Sequence, residues 1–183
     1  MSDRSRREPE GPLPRVIGVD NDRVAAIYTV ASPRLIGLLT AMSGSAAEAE
    51  EVAQDAFVKL IEKWRKVSEY DDIEGWLRTV AVRLMISRHR RRQVATLGLG
   101  RLASGAETAT PGPTTSRLDV AEALASLPIG SRAVVLLHHV HDLPVDEVGA
   151  LLRLPVGTVK SRLSRARAAM APMLSDAEVP TQP

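Results

Sequence analysis

The stretch that decides the fold is VDEVGALLRLPVGTVKSRLSRARAAM, residues 145–170. Apolar residues recur at helical spacing on both sides of a short turn, Arg153 to Val156. This spacing predicts one helix over 145–152 and a second over 157–171. The two helices are expected to share an apolar core made of Val145, Val148, Leu152, Val159 and Leu163. Two helices of this size joined by a tight turn form a helix-turn-helix, whose second helix enters the major groove of DNA.

The second helix of this pair carries polar and basic residues on its outward face. Thr158 lies near its start, where a hydroxyl, free amides and the helix dipole favour a phosphate. Arg162 and Arg165 are one turn apart, and arginine pairs with guanine through two hydrogen bonds. The predicted DNA-contacting residues are Thr158, Lys160, Ser161, Arg162, Ser164 and Arg165.

The charges of the chain are segregated, although its net charge is only +2. Residues 45–74 hold nine acids and four bases. Residues 75–106 hold seven arginines and no acid, and residues 148–175 hold five bases and no acid. Two basic blocks predict two contacts with nucleic acid, and the acidic block predicts a different partner.

The pattern of the N-terminal half also predicts helices. A helical pattern begins at Arg23, is expected to break at Ser32-Pro33, and stops at Ser43-Gly44. Ser45 and Glu48 form a capping box in front of an apolar stripe that runs to Trp64. A polar loop, 66–72, precedes a further helix over 73–92.

The sequence therefore predicts an all-α protein of two small helical domains joined by a flexible linker. Residues 93–117 are rich in Gly, Pro, Ser, Thr and Ala, a composition typical of linkers. The predicted divisions are a disordered tail (1–22), a first domain (23–92), the linker (93–117), a second domain (118–175) and a C-terminal tail (176–183).

Three stretches together resemble the extracytoplasmic-function (group 4) sigma factors of the sigma-70 family. Residues 127–170 are similar to region 4, the stretch AEAEEVAQDAFVKLIEKW is similar to region 2.2, and IEGWLRTVAVRLMISRHRRR is similar to regions 2.3–2.4. The resemblance covers about residues 24–92 and 118–174 in the family's order. It implies a sigma factor that binds core RNA polymerase, bridges the −35 and −10 promoter elements and assists promoter melting.

The resemblance assigns a partner to the acidic block. In the family, the region 2.2 helix docks on the coiled coil of the polymerase β′ subunit, and region 4 contacts the β flap. The corresponding β′-facing residues here are Glu51, Gln54, Asp55 and Lys59. An anti-sigma factor is a common further partner in this family.

The resemblance also assigns −10 recognition to the loop 66–72 and to the outward face of helix 73–92. The implied residues are Tyr70, Trp76, Arg78, Arg83, Arg88, Arg90 and Arg91. The arginines would contact backbone phosphates. Trp76 lies on the apolar stripe, which favours core packing over base stacking, whereas Tyr70 lies in the loop.

Three departures from the family pattern bear on function. Arg83 and Ser87 stand where the family often has Asn and Asp, which predicts an altered −10 preference. Arg153 replaces the usual glycine of the helix-turn-helix turn, where a positive φ is costly for arginine. His138, His139 and His141 replace an aromatic or charged segment, and their spacing matches no zinc motif.

The composition excludes several other classes of protein. There is no cysteine, so no disulfide or Cys-ligated metal site can form. No continuous apolar run approaches about 20 residues, and the charged start MSDRSRREPEGPLPR is not a signal peptide. We expect a cytoplasmic protein that contacts no membrane, with no cofactor, metal site or enzymatic nucleophile–base pair.

Two alternatives remain open from the sequence. A stand-alone helix-turn-helix regulator would account for residues 118–174 but leaves the acidic stripe of helix 46–65 without a role. A helical adaptor of the anti-sigma type would use the basic helices only as soluble surface.

Overall fold

A computed structural model describes residues 19–98 and 115–175, and within these ranges every regular element is a helix. We call residues 19–98 the N-terminal module and residues 115–175 the C-terminal module. The helices are α1 (Asn21–Ser43), α2 (Ala46–Glu62), α3 (Trp64–Val67), α4 (Ile73–Gly98), α5 (Thr115–Ala125), α6 (Ile129–Val135), a π-helical turn (Leu136–Val140), α7 (Val145–Leu152) and α8 (Val156–Ser175). The all-α prediction is confirmed.

Helix α1 is continuous through Pro33, so the predicted break at Ser32-Pro33 is wrong. Ser32 and the neighbouring Ala31 are buried, as are Leu35 and Leu39 one and two turns later. Burial of residues on both sides of the proline stabilises one long helix, which offsets the backbone hydrogen bond that proline lacks. The predicted stop is confirmed, because Gly44 caps the helix with φ +79°.

Helix α2 begins as predicted, although only half of the capping box forms. Ser45 Oγ accepts a hydrogen bond from the Glu48 amide at 3.3 Å. The Glu48 carboxylate does not return to Ser45, whose amide donates instead to Ser43 Oγ at 3.1 Å. The two guanidinium groups of Arg88 and Arg92 attract Glu48 toward α4, at 3.8 and 2.8 Å. The side chain that was expected to cap α2 therefore ties it to α4.

Helix α4 begins at an Asp72 cap, since the Asp72 carboxylate accepts from the Gly75 amide at 2.7 Å. The helix then continues to Gly98, six residues beyond its predicted end. Helix α5 begins at Thr115, so regular structure enters both ends of the predicted linker. The rest of that linker, the first 18 residues and residues 176–183 lie outside the described residues.

Helices α7 and α8 form the predicted helix-turn-helix. Val148, Val159 and Leu163 are buried between them. Gly149 is also buried, and a Cβ there would lie 2.9 Å from the Leu154 carbonyl oxygen. The turn keeps its left-handed geometry without glycine, because Arg153 adopts φ +56° and ψ +48°.

The two modules contact each other directly and share one buried cluster. Leu39 and Leu77 of the N-terminal module belong to the same cluster of buried apolar side chains as Leu137 and Val148 of the C-terminal module. The modules meet where α1 and α4 contact α5, α6, α7 and the π-helical turn. The described residues therefore fold as a closed pair.

One described helix, α1, is long and apolar enough to span a membrane by length and composition, with a mean hydropathy of 1.4. A core helix passes the same test. Helix α1 buries Leu35, Leu38, Leu39 and Met42 inside the fold, and 28% of its most apolar window is buried.

Candidate nucleic-acid interface

The outward face of α8 is basic and solvent-exposed. Lys160, Ser161, Ser164 and Arg165 are all exposed, and Thr158 near the start of the helix is half-buried. Arg165 lies along the helix, with its Nε donating to the Ser161 carbonyl oxygen at 3.2 Å. Four of the six predicted residues are therefore free to meet a DNA groove.

Arg162 is placed differently from Arg165. It is half-buried, and its Nη1 donates to the Gly130 carbonyl oxygen of α6 at 3.2 Å. Arg162 thus fastens the helix-turn-helix to the helix that supports it. The predicted contact with a base edge would require this hydrogen bond to break.

The outward face of α2 carries the predicted polymerase-contacting side chains. Glu51, Gln54 and Asp55 are exposed, and Lys59 is half-buried. Val58 lies on the same face, one turn after them, and is 53% exposed. The sequence analysis missed Val58, although an apolar residue three and four positions after Asp55 and Gln54, off the buried stripe, was the available signal. We call Glu51, Gln54, Asp55 and Val58 the α2 face.

An ion-pair network joins the α2 face to the basic stretch of α4. Arg88 pairs with Glu51 as well as with Glu48, and Arg92 pairs with Glu48. Arg88, predicted to contact phosphate, is therefore paired with carboxylates in this structure. Arg90 and Arg91 are exposed.

A groove lies beside the loop that precedes α4. It has a volume of about 360 Å³ and is lined by Arg23, Ile27, Tyr70, Asp71, Asp72, Ile73, Glu74 and Arg78. Tyr70 is 37% exposed at this groove, whereas Trp76 is partly buried against the core, as its place on the apolar stripe predicts. The exposed ring of Tyr70 offers a stacking surface, and the groove holds two arginines together with three carboxylates, those of Asp71, Asp72 and Glu74.

Arg78 and Arg83 extend from α4 toward the C-terminal module. Arg78 is half-buried, and its Nε is buried without a hydrogen-bond partner. Arg83 donates through Nε to the Leu151 carbonyl oxygen at 2.7 Å and through Nη2 to the Ala150 carbonyl oxygen at 3.2 Å. Burial, and secondarily the charge of Arg153, lowers the pKa of Arg83. Sequence reasoning gave no role between modules to either residue.

The histidine segment lies on the π-helical turn and just after it. His138 Nδ1 is 2.8 Å from the Leu143 carbonyl oxygen. Burial, then His138 and Arg167, lowers the pKa of His139. Burial and then Arg78 lower the pKa of His141, which Asp142 opposes. Within residues 19–98 and 115–175, no three His, Asp or Glu side chains are placed to hold a metal ion.

Comparison with protein families finds two matches along the chain. The family described as sigma-70 region 2 matches residues 27–94, and the family described as sigma-70, region 4 matches residues 117–170. The region 2 match thus falls on the N-terminal module and the region 4 match on the C-terminal module.

Curated proteins and solved structures agree with these matches. The chain is 30% identical to the RNA polymerase sigma factor CnrH of Cupriavidus metallidurans over 85% of its own length and 95% of that protein. It is 28% identical to the ECF RNA polymerase sigma factor SigW of Bacillus subtilis, covering 86% and 91% of the two chains. In fold it is similar to the sigma factor RpoE of Bartonella quintana, crystallised with the anti-sigma factor NepR, with a TM-score of 0.68 and 22% identity over 84% of this chain and 98% of that one.

Proposed function

Since the chain belongs to the extracytoplasmic-function sigma factors of the sigma-70 family, we propose that three of its exposed surfaces each make one contact of transcription initiation. The α2 face binds core RNA polymerase, α8 reads the −35 element and the groove beside Tyr70 receives the −10 element. The observation that carries this proposal is the match of both modules, in order, to sigma-70 regions 2 and 4. A stand-alone regulator or an adaptor would leave the region 2 match without a role.

The α2 face supports the polymerase contact by its composition. Three polar side chains, two of them acidic, share one side of α2 with the exposed Val58, which follows them by about one turn. Protein interfaces combine such apolar residues with polar ones. The face lies on the opposite side of α2 from the buried stripe, so a partner helix can approach it without disturbing the core.

The exposed residues of α8 support the −35 contact. Arg165 is exposed and can turn from Ser161 to the edge of a guanine, while Lys160 supplies charge for a phosphate. Arg162 holds α8 on α6 and so sets the angle at which α8 is presented. The basic segment of α4 that ends with the exposed Arg90 and Arg91 supports the contact with −10 phosphates.

The groove beside Tyr70 supports capture of a −10 base. A base turned out of a melted strand needs an aromatic surface and a pocket, and the volume of about 360 Å³ is large enough to admit one. This family consists of initiation factors rather than enzymes, and we propose that the protein acts in the cytoplasm with its polymerase and meets an anti-sigma factor there.

The decisive experiment is competition for core RNA polymerase against the housekeeping sigma factor. We expect the purified chain to compete, and Asp55→Arg to weaken its binding by about tenfold or more through charge reversal at the interface. Glu122→Arg reverses an exposed acid on α5 and is the matched control. A folded chain that does not compete would overturn the polymerase assignment.

The DNA assignment has its own measurement. We expect Arg165→Ala to reduce discrimination between a −35 duplex and a copy with one guanine replaced by about 1–3 kcal/mol. Lys160→Ala should instead weaken binding to both duplexes alike and lower the salt dependence. Unchanged discrimination in Arg165→Ala, measured by fluorescence anisotropy, would remove this residue from base readout.

A further inference from the structure

Each module offers the carbonyl end of one helix to an arginine of the other module. Arg83 of α4 bonds to the Leu151 and Ala150 carbonyl oxygens in the last turn of α7. Arg132 of α6 bonds to the Met42 carbonyl oxygen near the end of α1 at 2.7 Å. The last carbonyl groups of a helix lack partners within the helix and carry partial negative charge, so a guanidinium is a favourable cap there.

Arg132 is also fixed within its own module. Its Nη2 donates to the Ala125 and Leu127 carbonyl oxygens at 2.7 and 3.0 Å. The guanidinium is thus held in place before it meets α1, which reduces the entropy lost when the modules close. We call the Arg83 and Arg132 contacts the reciprocal latch.

A cleft of about 130 Å³ is lined by residues of both modules. His141 enters it from the C-terminal module, and Arg34, Glu74 and Arg78 line it from the N-terminal module. Arg34 is 3.7 Å from Glu74, so the acid already has a cationic partner. Within residues 19–98 and 115–175, Arg78 has no carboxylate within 4.0 Å, and its Nε makes no hydrogen bond.

The charges that face His141 determine how it responds to pH. Arg78 and Arg34 are cationic, while Glu74 across the cleft and Asp142 next in sequence are acidic. Burial, then Arg78, lowers the pKa of His141 below its ordinary value of 6.5, and Asp142 only partly opposes this. The closed arrangement consequently binds fewer protons than a separated one. The closed arrangement is therefore unaffected by His141 above pH 6.5. It becomes less stable relative to the separated one as the pH falls below that value.

The closed arrangement cannot read a promoter. Elements at −35 and −10 are separated by roughly 25 base pairs, or about 85 Å of B-form DNA at about 3.4 Å per pair. A compact chain of this length is only about 40 Å across. In addition, Arg83 cannot reach a phosphate while it caps α7. This consequence for promoter binding rests on the proposed function, whereas the latch itself rests on the contacts alone.

We propose that the free protein rests in this closed arrangement, held by the reciprocal latch, and that proton uptake by His141 opens it. Opening separates the modules, releases Arg83 and exposes the Arg78 side of the cleft. The two DNA-reading surfaces, which are already exposed, could then reach the −35 and −10 elements at the same time. The histidine segment, which differs from the family pattern, acquires a role in controlling that step.

The absence of cysteine permits a direct test on the full chain. Lys63→Cys and Ala169→Cys place one spin label on each module at exposed positions outside the proposed contact surfaces. Pulsed dipolar spectroscopy near pH 8 should show one short, narrow distance distribution. Near pH 5.5 a longer, broader component should appear while the helical circular dichroism is retained.

Variants separate the latch from a general effect of pH or charge. Arg83→Met should show the long component at both pH values, whereas Arg90→Met, which removes an exposed charge from the same helix, should match the unsubstituted chain. His141→Gln should keep the short distance at both values. A long distance near pH 8 in the unsubstituted chain, or no change in Arg83→Met, would overturn the latch.

Opening of His141→Gln near pH 5.5 to the same extent as the unsubstituted chain would overturn the role of the histidine. Arg83→Lys provides a second latch variant, because it keeps the charge but replaces the rigid planar fork of donors with a compact ammonium on a flexible stem; it should show an intermediate long fraction. These measurements need neither DNA nor polymerase, so their failure is distinct from failure of the proposed function.

Discussion

Arg153 is the residue at which the sequence and the backbone disagree most directly. It adopts a left-handed conformation, φ +56°, in a turn where glycine would have no Cβ penalty. Its charge also contributes to lowering the pKa of Arg83, so two like charges lie near each other where the modules meet. The turn forms nevertheless, because the buried residues of α7 and α8 on either side determine its path.

We expect Arg153→Gly to raise the free energy of unfolding by about 1 kcal/mol. Glycine removes the left-handed strain, although its greater freedom in the unfolded chain offsets part of the gain. Urea denaturation followed by circular dichroism measures the change. Arg153→Ala is the control, since it removes the charge but keeps the Cβ; equal stabilisation by alanine would assign the effect to charge.

Prediction from the sequence succeeded for side chains whose position in the local pattern determines their environment. Trp76 as a packed residue follows from its position on the apolar stripe. The predicted capping role of Glu48 is wrong, whereas the predicted base contact of Arg162 stays a prediction; each of the two side chains has a partner from a distant segment that the local pattern does not contain. The partner of Glu48 is 40 or more residues away, and that of Arg162 is Gly130 on another helix.

At the scale of elements, α7 and α8 depend on a close approach that excludes a side chain. A Cβ on Gly149 would lie 2.9 Å from the Leu154 backbone oxygen, which cannot move without distorting the turn. By contrast, a Cβ on Gly37, in the middle of α1, would meet nothing within 4 Å. A side chain is therefore sterically excluded at Gly149 and sterically allowed at Gly37.

We expect Gly149→Ala and Gly37→Ala to change stability in opposite directions. Alanine in a helix interior is favoured over glycine by about 1 kcal/mol, which Gly37→Ala should show as stabilisation. At Gly149 the steric conflict should exceed that gain and lower the midpoint of thermal unfolding. Stabilisation by Gly149→Ala would mean that the turn yields more easily than its geometry indicates.

The elements most fully predicted from sequence were those with their own start and stop signals. Helix α2 follows Ser45, α7 follows Pro144, and both carry clean apolar stripes. Helix α1 was divided wrongly at Pro33 because local propensity favours a break there, while burial on both sides of Pro33 favours continuity. Tertiary packing, which a local pattern does not contain, decided between them.

At the scale of the whole molecule, the local sequence pattern did not predict that the two modules dock against each other. Arg83 and Leu151 are 68 residues apart in the sequence. From the sequence alone, an arginine on the outer side of a helix is interpreted as a contact with DNA or solvent. The apolar residues that meet across the boundary also fit the two separate domains that the pattern indicated. In the folded protein they form one buried cluster.

That shared cluster predicts coupled unfolding of the two modules. Both tryptophans, Trp64 and Trp76, belong to the N-terminal module, so their fluorescence reports only that module. Val159 is fully buried in the C-terminal module. Near pH 8, we expect Val159→Ala to destabilise the chain by about 2 kcal/mol and to shift the tryptophan transition together with the circular dichroism transition.

Coincidence of the two transitions is the signature of one cooperative unit. Lys160→Ala, an exposed substitution on the same helix, should leave both transitions in place and serves as the control. A tryptophan transition that stays fixed in Val159→Ala, while the circular dichroism curve splits into two steps, would show that the modules unfold independently. As the pH is lowered from 8 to 5.5, the same variant should begin to produce that split, because proton uptake by His141 opens the reciprocal latch and separates the clusters before either module unfolds.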